Sequence, residues 1–216
     1  ISQETIGHLL SLLKVLLEQI ARNPHQEAQN LSYLNAEQYQ QIIHTWNKTE
    51  KDYPEQKTIH ELFEEQVEKA PDNIAITCND TKLTYRQLNE KANQLAHYIR
   101  ERYEIKPDTL IALCLDRSEH VLVGIFAVLK AGGAYVPIDP SYPDERIKYL
   151  LDDTNTQIIL TNEVYKERLE SLNRTELRAK GVQQPLVILA MDDPALQDEV
   201  DIQPFTNPKT STTSHH

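Results

Sequence analysis

The sequence predicts an α/β fold with a mostly parallel sheet, preceded by two helices. Three observations carry this. From residue 74 onward, short β-branched or aliphatic runs alternate with helix-periodic stretches of roughly 10–18 residues, the pattern of strand–helix–strand crossovers. The run from Thr109 to Leu115 is apolar without alternation, as expected of a strand covered on both faces. Residues 4–22 and 35–46 are helix-periodic, with no strand-like run between them.

In residues 4–22, Ile6, Leu9, Leu10, Leu13, Leu16, Leu17 and Ile20 form one wide apolar stripe, which must pack on something. Asn23-Pro24 ends that helix. Asn35 is the candidate N-cap of a second helix, with Ala36, Tyr39, Ile42, Ile43 and Trp46 on its apolar face. From Asn47 to Lys57 the chain is polar and contains Pro54, a linker. Thr58 and Glu61 have capping-box spacing, in which each side chain satisfies the other residue's free backbone N–H. They open a third helix whose apolar face is Ile59, Leu62, Phe63, Val67 and Ala70 and which stops at Pro71.

Ile74–Thr77 reads as a strand, Asn79-Asp80 as a turn, and Lys82–Tyr85 as strand-like. A helix follows with Tyr85, Leu88, Ala92, Leu95, Ala96 and Ile99 inward, and Thr84 with Gln87 repeats the capping-box chemistry. After the strand at Thr109–Leu115, residues 118–130 are apolar nearly all round, a buried helix that Gly132-Gly133 ends. Tyr135–Ile138 is a strand whose Pro137 lacks a ladder donor, so it belongs at a strand end or sheet edge. Pro143, Asp144 and Glu145 start a helix through about Leu151, with acids in its positive first turn. Gln157–Leu160 is a strand, 162–171 a helix, 172–184 a polar loop, and Leu186–Leu189 a last strand, broken by Asp192-Asp193-Pro194. The crossovers between parallel strands are expected to be right-handed.

Composition narrows the function. The formal net charge of -11 repels phosphate backbones, so no nucleic-acid partner is expected. Leu9–Leu17 is interrupted by Ser11 and Lys14, and Val121–Leu129 is short, so neither run spans a bilayer and no membrane partner is expected. Without a basic–apolar leader a cytoplasmic protein is expected. Cys78 and Cys114 are far apart in apolar surroundings and read as buried free thiols rather than a bridged or reactive pair.

The residues show no legible active site. A phosphate cradle needs glycines, so that backbone N–H groups can approach the oxygens. The five here, Gly7, Gly124, Gly132, Gly133 and Gly181, form no phosphate-loop pattern. Gly132-Gly133 fits a chain reversal better than an anion cradle. The acid pairs Glu64–Glu65, Asp152–Asp153 and Asp192–Asp193 read as solvated charges, because sequence neighbours on a helix do not face each other. Asp139, after a strand and before Pro140, fits an Asp-Pro turn better than a functional acid. The eight histidines have no metal-ligand spacing, and Ser118 and Ser141 have no paired base in a motif. No catalytic, cofactor-binding or metal-binding residue is therefore assigned.

Two segments carry a resemblance. Leu129, Lys130, Ala131, Gly132, Gly133, Ala134, Tyr135, Val136, Pro137, Ile138, Asp139 and Pro140 are similar to the second core motif of amino-acid adenylation domains in nonribosomal peptide synthetases. Leu83, Thr84, Tyr85 and Leu88, followed by Ala92 and Leu95, resemble the first core motif. Arg117-Ser118 and Val123-Gly124 fit the helix between them. Residues 8–24 resemble the closing helix of a condensation domain. Leu34-Asn35, Trp46–Thr49 and Tyr53-Pro54 resemble the condensation–adenylation linker.

The resemblance implies an incomplete N-terminal subdomain of an adenylate-forming enzyme. Residues 1–30 would end a condensation domain, 31–57 would be the linker, and 58–216 would begin an adenylation (AMP-binding) domain. The parent would activate an amino acid with ATP and Mg2+ and pass it to a phosphopantetheine thiol on a carrier protein. Its partners would be the condensation domain and the rest of the adenylation domain. Both motifs are expected to serve architecture. Thr210-Ser-Thr-Thr-Ser-His-His216 resembles the lead-in to the family's phosphate loop and reads as a severed linker. The piece is therefore expected to be inactive alone, with an open sheet edge that favours aggregation. The alternative is a non-catalytic docking module for a condensation domain.

Overall fold

Two helical segments make up the first of two units, Ile1–Tyr53, and the sheet lies in the second, Pro54–His216. The computed structural model describes residues 2–180 and 186–214, the side chains of 173–180 excepted. In the first unit, α1 (Gln3–Arg22) starts where the Ser2 side chain accepts from the Thr5 N–H. No described residue of α1 is buried, and its leucine stripe is open, with Leu9 58% and Leu10 62% exposed. The Gln19 carboxamide holds the returning chain at both Ser32 backbone groups, donating to its carbonyl at 2.8 Å and accepting its N–H at 2.9 Å.

The second helix is not regular to its end. α2 (Ala36–Tyr39) carries the Asn35–Gln38 capping box and then widens into a π-helical turn, Gln40–Thr45. Trp46 N–H reaches back to Gln41 C=O at 2.9 Å, and the Asn47 carboxamide donates to the carbonyls of Ile42 and Ile43. An Asn just past the last turn thus takes up carbonyls that the widened turn leaves over.

In the second unit both predicted capping boxes form. Thr58 caps α3 (Ile59–Lys69) with Glu61, and Thr84 caps α4 (Tyr85–Arg102) with Gln87. Between them β1 (Ile74–Cys78) and β2 (Thr81–Thr84) make an antiparallel hairpin that turns at Asn79, φ 50°. Phe63 of α3 stacks on Phe126, ring centroids 3.9 Å apart.

The main sheet is parallel and ordered β4-β3-β5-β6. It comprises β3 (Leu110–Cys114), β4 (Ala134–Pro137), β5 (Ile158–Thr161) and β6 (Val187–Ala190). Strand alternation divides the core in two. Ile111, Leu113, Ile158 and Leu160 pack with Leu88, Leu95 and Ile99 of α4 and with Val123, Ala127 and Val128 of α5 (Glu119–Ala131). Ala112, Cys114 and Ile159 pack on the other face with Ile147 of α6 (Asp144–Thr154) and Leu169 of α7 (Glu163–Lys180). Pro137 closes the edge strand β4, where its missing N–H interrupts no ladder.

Two expectations need correction. The loop expected at 172–184 is helix as far as Lys180, and residues 181–184 lie outside the described residues. Residues 172–180 lack Gly and Pro and are rich in Leu, Arg, Glu, Ala and Lys, all good helix formers. Asp192-Asp193-Pro194, expected only as a break, also starts a helix, α8 (Pro194–Asp201). Asp193 caps it by accepting from Ala195 N–H at 3.0 Å, and Pro194 takes the first position, where its missing donor is harmless. Among the described residues no helix is long and apolar enough to cross a membrane.

The end of α5 is tightly fitted. Gly132 takes φ 95°, and a Cβ on Gly133 would meet the Thr109 carbonyl oxygen at 2.8 Å. That oxygen accepts the Ala134 N–H at 2.9 Å, so it has little freedom to retreat. Gly133→Ala is expected to lower unfolding free energy by about 1–3 kcal/mol, measured by urea denaturation. An unchanged midpoint would contradict this close approach.

Candidate functional site

Open parallel sheets usually bind ligands beyond the carboxyl ends of their strands, where the strand order reverses. Here that point lies between β3 and β5, and polar side chains bond to one another there. Asn162 Oδ1 accepts the Asp116 N–H at 3.0 Å, and Tyr165 Oη donates to Asp116 Oδ1 at 2.8 Å. Asp192 accepts from Glu163 N–H at 2.6 Å and from Asn162 Nδ2 at 3.3 Å. The Thr161 hydroxyl donates to Cys114 C=O at 2.7 Å. Asp139 lies beyond β4 and accepts the Ser141 N–H at 2.8 Å, and the Ser141 side chain, with that N–H, lowers its pKa. This is Asx-turn geometry, in line with the turn expected there.

The Gly-Gly turn is a Schellman helix end. Gly132 N–H donates to Leu129 C=O and Gly133 N–H to Val128 C=O, both at 3.1 Å. Both amides are therefore engaged inside the helix terminus, and the turn reverses the chain. Beside it lies Lys130, which the apolar α5 carries inward. Its side chain has no exposed surface, and its ammonium pairs with Glu64 of α3. Glu64 is thus not the solvated charge expected of it. Its adjacency to Glu65 said nothing about a lysine 66 positions away. Glu65 pairs instead with the half-exposed Lys57.

Burial pushes the Lys130 ammonium below its ordinary pKa, while the bond to Glu64 opposes the shift. His60, one turn before Glu64, is also buried, and its pKa is lowered chiefly by desolvation. Glu64 raises the His60 value and the Lys130 charge lowers it further.

A segment from the far end of the chain completes this region. Asn207 Oδ1 accepts three donors: Lys130 Nζ at 3.2 Å, Asn93 Nδ2 at 2.9 Å and Asn89 Nδ2 at 3.1 Å. Asn93 also donates to Phe205 C=O, His97 Nε2 bonds to Thr206 C=O, and Arg100 donates to Lys209 C=O at 2.6 Å. Asn89, Asn93, His97 and Arg100 share one face of α4. Farther on, Thr212 Oγ1 lies 3.1 Å from where a Gly132 Cβ would be, with Thr210 behind it.

The motif residues divide accordingly. Leu83, Leu88 and Ala131 are buried in the core. Thr84 caps α4, and Tyr85 stands beside Phe63, ring centroids 6.1 Å apart. Leu129, Gly132, Gly133 and Ala134 line a cleft of about 190 Å³ with Thr58, His60, Thr212 and Thr213, while Tyr135 is 40% exposed. Lys130 and Gly132 meet the 205–213 segment. Asn93 and Asn207 were not singled out in the sequence, and Glu64 was read only as a solvated charge, although a lysine inside a largely apolar helix signals a buried partner. Cys78 and Cys114 are both free, and burial pushes the Cys114 thiol up to about 11. No group of three His, Cys, Asp or Glu suited to a metal ion occurs among the described residues.

The described fold is a parallel sheet with helices on both faces, onto which residues 203–213 return. The chain belongs to the AMP-binding enzyme family, whose model matches residues 63–214. The resemblance read from the two motifs is borne out at that level. The chain is 39% identical over 212 residues to N-(5-amino-5-carboxypentanoyl)-L-cysteinyl-D-valine synthase of Amycolatopsis lactamdurans, covering 98% of this chain and 5% of that protein. It is 37% identical to a linear gramicidin synthase of Brevibacillus parabrevis, covering 99% of this chain and 2% of that one. It therefore spans only a small fraction of these relatives. Among solved structures, an AMPPNP-bound form of the nonribosomal peptide synthetase FmoA3 superposes with a TM-score of 0.72 at 19% identity, over 99% of this chain and 21% of that one. The N-terminal domain of FACL13 from Mycobacterium tuberculosis gives 0.60 at 18% identity, over 72% of this chain and 38% of that one. These two likenesses establish the fold.

A neutral buried His60 sets a pH response. With its folded pKa below the ordinary 6.5, the unfolded chain takes up the proton first as pH falls. Its contribution to stability is full above about pH 6.5 and is lost as pH drops toward the folded value. Urea midpoints between about pH 5 and 7 are expected to fall with acidification, and His60→Gln is expected to flatten that slope. An identical slope in the variant would remove His60 as the cause.

Proposed function

We propose that this chain is part of a nonribosomal peptide synthetase. Residues 1–30 end a condensation domain, 31–57 form the linker, and 58–216 begin an adenylation domain. The parent activates an amino acid: its carboxylate attacks the α-phosphorus of ATP, aminoacyl-AMP forms and pyrophosphate leaves. The acyl group then passes to the phosphopantetheine thiol of a carrier protein, and a cytoplasmic setting suits these substrates. The observation that carries the reading is the reach of the similarity. It runs through 98–99% of the chain in two proteins named as peptide or gramicidin synthases, including the helical unit that precedes the family-model match.

The described residues do not themselves suit a bound ATP with Mg2+. The Gly132 and Gly133 amides are spent on the helix end, and Asp116 bonds to Asn162 and Tyr165 at the carboxyl ends of β3 and β5. In this reading the chemistry on ATP belongs to other parts of the parent. A second reading, a docking role toward a condensation domain, is favoured by the open leucine stripe of α1.

Amino-acid-dependent ATP–pyrophosphate exchange tests the proposal. The 216-residue chain is expected to show none with any of the common amino acids, whereas the complete parent polypeptide exchanges with one or a few. Exchange catalysed by the 216-residue chain alone would overturn this assignment of the chemistry.

A further inference from the structure

Residues 203–213 lie along α4 and over the Gly132 turn, yet make almost no regular backbone bonds. At its start the Gln203 N–H donates to Val200 C=O. What holds the stretch is side chains of α4 and α5, more than 75 positions earlier in sequence. Most of them grip backbone carbonyls: Asn93 at Phe205, His97 at Thr206 and Arg100 at Lys209. Such grips tolerate any side chain on the segment. Asn207 differs, because there the segment's own side chain turns inward, and its single carboxamide oxygen gathers three donors, where the side chains of Gln203 and Thr212 make one bond each, to Glu101 and to Gly132 C=O.

One of those donors is a fully buried ammonium, whose hydrogen bonds to Glu64 and Asn207 are therefore expensive to leave unmade. The other two come from the helix that the first motif opens, whereas Lys130 belongs to the second. Asn207 thus bonds both motif regions. The segment also passes close over the Gly132 turn, where Thr212 Oγ1 lies 3.1 Å from the place of a Gly132 Cβ and Thr210 lies in ordinary contact with it.

We infer that Asn207 is a positioning residue, anchoring the 203–213 segment to both motif regions so that the chain beyond it enters the ATP site in a fixed place. The second half of this statement rests on the adenylation reading proposed above. The anchor itself does not. A segment free to leave its seat lowers the fraction of binding-competent enzyme, which weakens apparent substrate affinity while saturating substrate restores turnover. The signature of lost anchoring is therefore a raised KM for ATP with kcat retained.

The test compares Asn207→Leu, which removes the acceptor, with Asn207→Asp, which keeps an acceptor for all three donors, in the complete parent polypeptide. Asn207→Leu is expected to speed amide hydrogen exchange across 203–213 by about tenfold or more, with β3 and β5 protected as before. It is also expected to raise the KM for ATP about fivefold or more while kcat stays within about twofold. Asn207→Asp is expected to restore both. Unchanged exchange at 203–213 in Asn207→Leu sinks the anchor. Faster exchange there with an unmoved KM sinks the positioning role, as does failure of Asn207→Asp to restore the KM. Protection lost equally in β3 and β5 makes Asn207 a general stability residue and also contradicts the proposal. If the unmodified polypeptide exchanges no pyrophosphate with any amino acid, the adenylation reading fails, and the hydrogen-exchange comparison still decides the anchor.

Discussion

An ammonium with no exposed surface is the constraint around which this region is arranged. Lys130 sits in α5, a helix otherwise apolar over most of its inner surface, and cannot remain charged there without partners. Glu64 supplies the counter-charge from α3 and Asn207 a neutral acceptor from the far end of the chain. Three remote elements are thereby brought to one point, so they can pack in only one relative placement. Replacing such a pair by apolar groups need not weaken a fold, but breaking it leaves an uncompensated charge.

The other features follow from seating the returning segment at that point. α4 buries Leu88, Leu95 and Ile99 on one side, and turns Asn89, Asn93, His97 and Arg100 toward residues 205–209 on another. The Gly-Gly turn reverses α5 into β4 while leaving room for Thr210 and Thr212. The parallel sheet, with an apolar layer on each face, is the platform that keeps α4 and α5 in place. The crevice where such sheets commonly hold ligands is meanwhile satisfied from within by Asp116, Asn162, Tyr165 and Asp192. The conspicuous motif segments therefore act in this chain on another stretch of the same chain.

What was legible in the sequence is what depends on neighbours a few residues apart. Both capping boxes, the Gly132 helix end, the doubly covered β3 and the edge-strand proline are local signals, and each stands where its spacing placed it. The start of α8 is equally local, in Asp193-Pro194, but a break and a cap use the same residues, and residue type does not separate the two. The π turn after α2 has no periodic signature, because one extra residue in a turn alters hydrogen bonding more than composition. The Glu64–Lys130 pair and the bonds of Asn207 join residues 66 to 118 positions apart, and periodicity carries no information about such partners. Only the lysine itself, charged within an apolar helix, announced that a partner had to exist.

The family match, the motif spacing and the fold agree that the chain belongs to the AMP-binding enzyme family. The structure adds a physical task for the motif regions, centred on one buried charge. A double-mutant cycle on Glu64→Gln and Lys130→Met, read by urea denaturation, tests that centre most directly. Glu64→Gln alone strands the ammonium and is expected to be strongly destabilising, while in the Lys130→Met background the same change costs little. The coupling energy should therefore be about 2–3 kcal/mol. Effects that add to within about 0.5 kcal/mol would show that the pair does not hold this region together.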